Sequence, residues 1–261
     1  MIEKIQQAYG GSGMTAYITH TACLGHNMGE GHPEGPERLA AIKDRLMAAQ
    51  VFDFLNQVEA PSVSASQLAR VHPPKYIEYL ESVQPTVGTY RVDTDTAMNS
   101  GTLSAARHAA GAVVKAVDMV MNKQAPNAFC AIRPPGHHAE TRKAMGFCFF
   151  NNIAVGAMHA IAEHGIERVA ILDFDVHHGN GTEEIFKNDE RVMLLSLFQH
   201  PFFPYCGDTP IGNNPNIVNT PLKSGTKGEE VREVVADLWR YKLDEFQPQI
   251  IFISAGFDGH L

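Results

Sequence analysis

Three apolar stretches of this chain each run into residues that can bind a metal or carry a proton. The stretches and the groups that follow them are 128–132 with His137 and His138, 168–172 with Asp173, Asp175 and His177, and 250–255 with Asp258. Carboxylate oxygens together with imidazole nitrogens are the ligands of a catalytic divalent metal such as zinc. In open α/β sheets, ligand sites lie beyond the carboxyl ends of the strands. The pattern therefore predicts an active site.

Asp173, Asp175 and His177 are spaced two residues apart at the end of an apolar run. Residues two apart point to the same side of a strand, so these three side chains can share one face. A single Asp or His after a strand is usually an ordinary turn former or a solvated group. The combination of two His-His pairs with an Asp-x-Asp at strand ends favours the functional interpretation.

The composition is that of an enzyme domain with a large core. The chain has 261 residues, of which 44% are hydrophobic and 19% charged, which is enough for one domain. The net charge of −8 argues against direct nucleic-acid binding and favours cationic substrates. We find neither an apolar segment of transmembrane length nor a secretory leader. With four scattered cysteines, these features favour a reduced cytoplasmic protein without a membrane partner.

Residues 1–13 end in a Gly-Gly-Ser-Gly segment and are interpreted as a leader or an added linker, with a short helix over 2–9 as the alternative. From residue 14 to residue 261, apolar strands alternate with helices, which predicts one catalytic domain. Strands without internal polar alternation are typical of a mostly parallel sheet with helices on both faces. The predicted strands are 16–19, 128–132, 168–173, 192–197 and 250–255. The predicted helices begin near residue 37 and cover 75–83, 102–122, 152–163, 182–187 and 228–245.

Aromatic residues are concentrated in two segments close to the predicted strand ends. The segment 201–208 contains two Phe and one Tyr, and Phe147 follows the first His pair. Aromatic side chains at such positions can line an apolar tunnel. We expect Phe147 and Phe203 to be pocket walls, and Phe149 and Phe150 to fill the core.

Several motifs together resemble the histone deacetylase superfamily, which also includes acetylpolyamine amidohydrolases and bacterial deacetylase-like amidohydrolases. They are RPPGHH at 133–138, GFCFFNN at 146–152, DFDVHHGNGT at 173–182 and GFD at 256–258, with HPEGPERL at 32–39 as an early signature. The similarity runs in order from about residue 16 to the last residue. Asn180 stands where class I members carry Asp, which makes the chain similar to the class II branch. The resemblance implies an arginase-like α/β fold.

The resemblance implies roles for the metal ligands and the tandem histidines. Asp175, His177 and Asp258 match zinc ligands, an arrangement that leaves open positions for water and a carbonyl oxygen. His138 matches the general base and acid, and His137 the more cationic electrostatic helper.

Asp173 matches the carboxylate that orients the first of these histidines, and Asn180 matches the partner of the second. A carboxylate behind one imidazole and an amide behind the other should push their pKa values apart. Asp95 matches the carboxylate that holds the substrate at the rim, with Asp93 as a close competitor.

The family resemblance also implies a substrate channel and two monovalent-cation sites. Phe147, beside Gly146, and Phe203 match the walls of the acyl-lysine channel. The first site, usually filled by potassium, matches Asp173, Asp175, His177, Ser196 and Leu197. The second and weaker site matches Phe186, Asp189, Val192 and Asn216.

The chain departs from the family pattern after Asp258. The family places an oxyanion-stabilising Tyr well downstream of the third metal ligand, and no residue before Leu261 matches it. Loss of one oxyanion donor typically costs about 10²–10³ in rate, so we expect weak turnover of plain acetyl-lysine. Apolar surface that the family covers with later elements is expected at the carboxyl-terminal edge, which predicts a homo-oligomer.

The function predicted from the sequence is zinc-dependent hydrolysis of the amide of an N-acetylated lysine or polyamine. The alternative is a metal- and acyl-binding remnant of the family without turnover. A binuclear ureohydrolase is disfavoured, because its second metal needs more carboxylates than these motifs supply. The choice between lysine and polyamine, and between zinc and iron, stays open.

Overall fold

The computed structural model describes residues 13–209 and 211–259, which form two compact units, 13–160 and 161–259. The first unit contains β1 (Ala16–Thr19), α1 (Glu37–Ala48), β2 (Asn56–Glu59), α2 (Ala65–Leu68), α3 (Pro74–Val83), β3 (Tyr90–Arg91), β4 (Ala97–Met98), α4 (Thr102–Met121) and β5 (Ala128–Cys130). Helix α5 (Asn152–His164) contains the boundary. The second unit contains β6 (Val169–Asp173), α6 (Asn180–Phe186), β7 (Val192–Gln199), β8 (Ile217–Leu222), α7 (Gly228–Glu233), α8 (Arg240–Phe246) and β9 (Ile250–Ser254).

The first unit is built on a three-stranded parallel sheet in the order β2-β1-β5. Side chains alternate along β1, so that Ala16 and Ile18 lie on one face and Tyr17 on the other. The Ala-rich side of α4 packs on the first face through residues such as Ala112, and Leu39 of α1 joins the cluster around Tyr17. Helices therefore cover both faces of this sheet.

The second unit is built on a four-stranded parallel sheet in the order β8-β7-β6-β9. Ala170, Met193 and Leu195 present small and large apolar side chains on one face, and Trp239 packs against them. Trp239 belongs to the π-helical segment Val234–Trp239 that joins α7 to α8. This helical stretch covers the face along its length.

The strand order of the second sheet brings the predicted metal ligands together. Strands β6 and β9 are neighbours, with Asp173 opposite Ser254 in the register, and both run in the same direction. Parallel neighbours end at the same edge of a sheet. The residues that follow β6 and the residues that follow β9 therefore leave the sheet side by side.

The structure differs from the predicted elements at their ends and at the sheet edges. The strand expected over 128–132 ends at Cys130, and the helix expected over 182–187 begins at Asn180. Four of the described strands were not predicted: β2 and β8 of the two parallel sheets, and the short strands β3 and β4, which pair with each other. The prediction of one catalytic domain over 14–261 stays a prediction, and the proposed leader lies outside the described residues except for Gly13.

Candidate functional site

Asp175, His177 and Asp258 converge in the second unit at the edge where β6 and β9 end. One ligand atom from each residue lies within 4.8 Å of the other two. Nδ1 of His177 is 3.0 Å from Oδ1 of Asp175 and 2.9 Å from Oδ2 of Asp258. The backbone N–H of Val176 donates to Oδ1 of Asp258 at 3.1 Å, which ties the two strand ends together. The sequence spacing and the sheet order thus produce one donor cluster.

The charges of this cluster suit a divalent cation. Burial alone lowers the pKa of His177, but hydrogen bonds and charge attraction from Asp175 and Asp258 outweigh it and raise the pKa to about 9. Two carboxylates thus concentrate negative charge around one imidazole nitrogen. Two oxygen donors and one nitrogen donor form a ligand set that zinc accepts. The residues present fit a metal ion.

A second Asp–His contact lies in the first unit, but there an arginine also contacts the imidazole, which makes the contact less suited to a metal ion. Nε2 of His159 lies 2.8 Å from Oδ1 of Asp118, and Nδ1 of His159 lies 3.1 Å from Nη1 of Arg70. A guanidinium only donates hydrogen bonds, so Nδ1 accepts and Nε2 carries the proton that is donated to Asp118. Both ring nitrogens of His159 are therefore engaged.

Two phenylalanines contact the ring of His177. Phe202 stacks on it with ring centroids 5.0 Å apart and an interplanar angle of 15°, and Phe203 meets it edge-on at 6.0 Å and 77°. The sequence singled out Phe203 as a pocket wall and missed Phe202 as a partner of the His177 imidazole, a candidate metal ligand. The adjacent pair Phe202-Phe203 in the sequence could have indicated this contact, since either ring can face the site.

Gly256 leaves the space that the carboxylate of Asp175 occupies. A Cβ atom at Gly256 would overlap Oδ2 of Asp175 and lie 2.5 Å from its Cγ, a separation that real Cβ atoms do not show. Glycine at this point of the GFD motif is therefore required by the position of the Asp175 carboxylate and not by the backbone conformation.

Asp173 and Ser196 lie beside the donor cluster of Asp175, His177 and Asp258 and are fully buried. They are opposite each other in the β6–β7 register, and Oδ1 of Asp173 accepts from the backbone N–H of Asp175 at 3.2 Å. Among the residues that the structure describes, Oγ of Ser196 has no hydrogen-bond partner. Leu197 follows on β7 and is also buried, and Asn180 is the buried first residue of α6.

The tandem histidines lie in the first unit, on the segment that follows β5. The ring centroids of His137 and His138 are 4.0 Å apart, and His138 is the more buried. Gly146 packs directly on His138, because a Cβ atom there would overlap the imidazole ring. Gly146 also has a φ of 54°, which favours glycine. The loop after the tandem histidines thus folds back onto the second of them.

Asp95 and Asp93 approach this loop at different points: Asp95 at the backbone of Gly146 and Asp93 at the side chain of Lys143. Oδ1 of Asp95 accepts from the N–H of Gly146 at 3.2 Å and from the hydroxyl of Thr96 at 2.7 Å. Asp93 accepts from the N–H of Thr94 and lies 3.8 Å from Nζ of Lys143. Of the two competing carboxylates, Asp95 is the one that accepts a hydrogen bond from the backbone next to Phe147.

Phe147 adopts a backbone conformation that is unusual for a residue with a side chain. Its φ is 68°, in the left-handed region, and such residues persist where the surroundings hold them. Oγ1 of Thr96 accepts from the N–H of Phe147 at 2.9 Å, and the ring of His32 meets that of Phe147 at 4.7 Å. His32 belongs to the early HPEGPERL motif, whose individual residues had no predicted role.

A buried ion pair anchors the segment that carries the tandem histidines. Arg133 is fully buried and donates two hydrogen bonds to Glu34, from Nε to Oε1 at 2.8 Å and from Nη2 to Oε2 at 2.7 Å. Its Nη1 donates to the carbonyls of Cys23 and His26, both at 2.7 Å. This pair was not predicted from the sequence, although Glu34 lies in the HPEGPERL motif and Arg133 in the RPPGHH motif.

The ion pair changes the pKa values of its neighbours. Burial alone would raise the pKa of Glu34, but the hydrogen bonds and charge of Arg133 bring it below its usual value. Burial lowers the pKa of His26 to about 4, against the attraction of Glu34 and with the repulsion of Arg133. His26 is therefore neutral at physiological pH, with Nδ1 2.9 Å from Oγ1 of Thr102.

The family of the chain follows from its match to known proteins. A model of the histone deacetylase domain matches residues 32–261. The chain belongs to the histone deacetylase family. This histone deacetylase-family chain is 38% identical over 253 residues to a probable deacetylase of Archaeoglobus fulgidus, across 95% of its own length and 70% of that protein.

Other relatives agree with this assignment. A histone deacetylase-like amidohydrolase of Pseudomonas aeruginosa is 38% identical over 235 residues, which are 88% of this chain and 62% of that protein. The crystal structure of the HDA15 HD domain superposes with a TM-score of 0.88 at 33% identity, covering 95% of this chain and 74% of that one. The arginase-like α/β deacetylase fold predicted from the sequence is confirmed.

No helix in the described parts of this histone deacetylase-family chain is both long and apolar enough to cross a membrane.

Proposed function

We propose that this chain hydrolyses the amide of an N-acetylated amine, either acetyl-lysine or an acetylated polyamine, with zinc held by Asp175, His177 and Asp258. The observation that carries the proposal is the convergence of those three side chains within 4.8 Å in a member of the histone deacetylase family. The names of its relatives, deacetylase and amidohydrolase, support amide hydrolysis. An acetylated peptide or a small acetylated amine is therefore the proposed partner.

The chain's own residues supply the metal ligands and the proton transfers. Zinc, when bound, supplies Lewis-acid polarisation of the acyl carbonyl. His177 must give up its Nδ1 proton to become a ligand, and the two carboxylates then balance the charge. His138 is proposed to take a proton from the attacking water on its imidazole and to pass it to the leaving amine.

The other predicted residues have supporting roles in this proposal. His137 is the electrostatic helper, and Asp173 and Asn180 complete the catalytic set. Phe147 and Phe203 are proposed as the walls of the acyl channel. Their positions are supported by the Gly146 loop geometry and by the edge contact of Phe203 with His177.

Asp95 is proposed to act at the substrate rim. Its hydrogen bond to the N–H of Gly146 supports a second contribution, because it holds the segment that carries Phe147. An Asp95→Asn variant is expected to raise KM more than it lowers kcat, since the amide oxygen keeps the loop contact while the negative charge is lost.

A structural potassium ion is proposed beside the metal site, at Asp173, Ser196 and Leu197. Two observations support it: the carboxylate of Asp173 is fully buried, and the hydroxyl of Ser196 has no hydrogen-bond partner in the described part of the chain. A buried oxygen without a partner is costly, and a cation at this point relieves that cost.

The test of the function combines metal content with turnover. Asp175→Ala, His177→Ala and Asp258→Ala are each expected to abolish stoichiometric zinc, because two ligands do not hold a tight site. His138→Ala is expected to keep zinc and lose turnover of fluorogenic acetyl-lysine and of acetylated polyamine. Stoichiometric zinc in all three ligand variants would contradict the assignment.

Two controls complete this experiment. Asp237→Ala removes an exposed carboxylate of the same unit and is expected to change neither zinc content nor turnover. Reconstitution with ferrous iron compares the two candidate metals.

Binding of a hydroxamate without any turnover would favour the non-catalytic alternative. Self-association stays a prediction, which light scattering checks.

A further inference from the structure

Three backbone carbonyls of the second unit point at one nitrogen atom. The loop between α6 and β7 brings the carbonyl oxygens of Phe186, Asp189 and Val192 around Nδ2 of Asn214. The three N···O distances are 3.0, 2.8 and 2.9 Å. Asn214 is 8% exposed, so these contacts are shielded from water. We call the three carbonyls the carbonyl cage.

The orientation of the Asn214 amide is fixed by its other contacts. Its Oδ1 accepts from the backbone N–H of Asn216 at 2.9 Å, and its own backbone N–H donates to the carbonyl of Lys187 at 2.9 Å. A flipped amide would turn its oxygen towards three other oxygens. The nitrogen, which carries the two donor hydrogens, must therefore face the cage.

A cluster of convergent carbonyls is the arrangement that proteins use to replace the hydration shell of a potassium ion. The family resemblance implied a second, weaker monovalent-cation site at this place, at Phe186, Asp189, Val192 and Asn216. The structure does not fit that expectation, because Nδ2 of Asn214 occupies the point on which the first three carbonyls converge. A cation and this nitrogen cannot share the position.

We propose that the amide of Asn214 takes the place of a monovalent cation in the carbonyl cage. The two N–H bonds of the amide are shared among the three carbonyls, and its partial positive charge lies where a cation would otherwise be held. The side chain is tethered to the loop that it closes. Other contacts close the same loop from outside: Arg191 pairs with Asp189 at 2.7 Å, and the amide of Asn216 donates to the carbonyl of Glu190 at 2.9 Å. The loop is thereby complete without an ion.

The cage lies outside the residues assigned to the reaction, so its test is independent of the proposed function. Thermal unfolding of wild type, Asn214→Ala and Asn216→Ala is measured in potassium, sodium and choline chloride at equal ionic strength. In choline, Asn214→Ala is expected to lower Tm by roughly 5–10 °C, because three buried carbonyls lose the amide that lies between them. Two of these carbonyls, those of Phe186 and Asp189, keep the backbone N–H groups of Asp189 and Val192 as donors. Potassium is expected to restore part of this loss, since a cation that binds only the folded variant stabilises it.

Asn216→Ala is the matched control, because it removes one amide that donates to one carbonyl of the same loop and leaves the cage intact. It is expected to show the same potassium dependence as wild type. Any effect of potassium at Asp173 and Ser196 is common to all three proteins and cancels in the comparison. Equal potassium dependence of Asn214→Ala and wild type would overturn the proposal.

Crystals soaked in thallium(I) provide the second measurement. Wild type is expected to show no anomalous peak among the three carbonyls, and Asn214→Ala is expected to show one. A peak at the cage in wild type, with the amide displaced, would overturn the proposal even if Asn214→Ala fails to fold.

Discussion

Neutralising Glu34 is expected to destabilise the protein strongly, because it leaves the Arg133 guanidinium buried without its counter-charge. Both side chains are almost fully buried, and two hydrogen bonds of 2.7 and 2.8 Å join them. Removing one partner of such a pair typically costs about 3–5 kcal/mol. For Glu34→Gln this corresponds to a fall in Tm of roughly 6–20 °C.

A second Arg–Glu pair of the same unit provides the control. Nη2 of Arg107 lies 2.6 Å from Oε1 of Glu81, but half of the Glu81 side chain is exposed. Water screens this pair, so Glu81→Gln is expected to cost less than about 1 kcal/mol. The two variants make the same chemical change at a similar distance and differ in burial.

Urea unfolding followed by circular dichroism measures both variants. The double variant Glu34→Gln/Arg133→Met is expected to recover part of the loss, because it buries no unpaired charge. At temperatures where Glu34→Gln is folded, its kcat is also expected to fall, since Arg133 anchors the segment leading to His137. Equal stability of Glu34→Gln and Glu81→Gln would refute the reasoning.

Three further predictions concern pH, a glycine and an aromatic ring. Between pH 6.5 and 4, His26 is protonated in the unfolded chain but not in the native chain. The free energy of unfolding should therefore fall as the pH falls, by up to about 3 kcal/mol. Urea unfolding of His26→Gln should show a weaker dependence of this free energy on pH. Gly256→Ala should displace Asp175 and weaken zinc binding at least about tenfold, measured by competition with a chelator. Gly259→Ala is the control: a Cβ atom fits there, so its zinc affinity should be unchanged. Phe202→Leu should weaken zinc binding about two- to tenfold, through loss of ring stacking, and an unchanged affinity would contradict that contact.

The strands predicted from the sequence are buried strands, whose residues form continuous apolar runs. Residues 250–255 and 192–197 are of this kind, and both form strands. The missed strands of the two parallel sheets, β2 and β8, lie at sheet edges. Strand β2 contains a single apolar residue, Val58, and so gives no apolar run. Strand β8 contains Pro221, which edge strands tolerate because one side of the backbone needs no ladder hydrogen bond.

The candidate site was predictable where its residues follow the ends of neighbouring strands. Asp175, His177 and Asp258 belong to this class, because strand ends in a parallel sheet converge. The contacts of Arg133 with Glu34 and of Phe147 with His32 join segments that are far apart in the chain. No spacing rule connects such segments, so these contacts required the structure.

The ligands of the candidate metal site also connect distant parts of the second unit. Asp175 and Asp258 are about 80 residues apart in sequence, and Asp258 follows β9, which in the described chain pairs only with β6. A metal held by both would act as a cross-link that closes a long loop, and closing such a loop restricts the unfolded chain much as a disulfide does. Metal supply would then govern how firmly the last strand is attached, and chelation would loosen β9 before it altered the rest of the sheet.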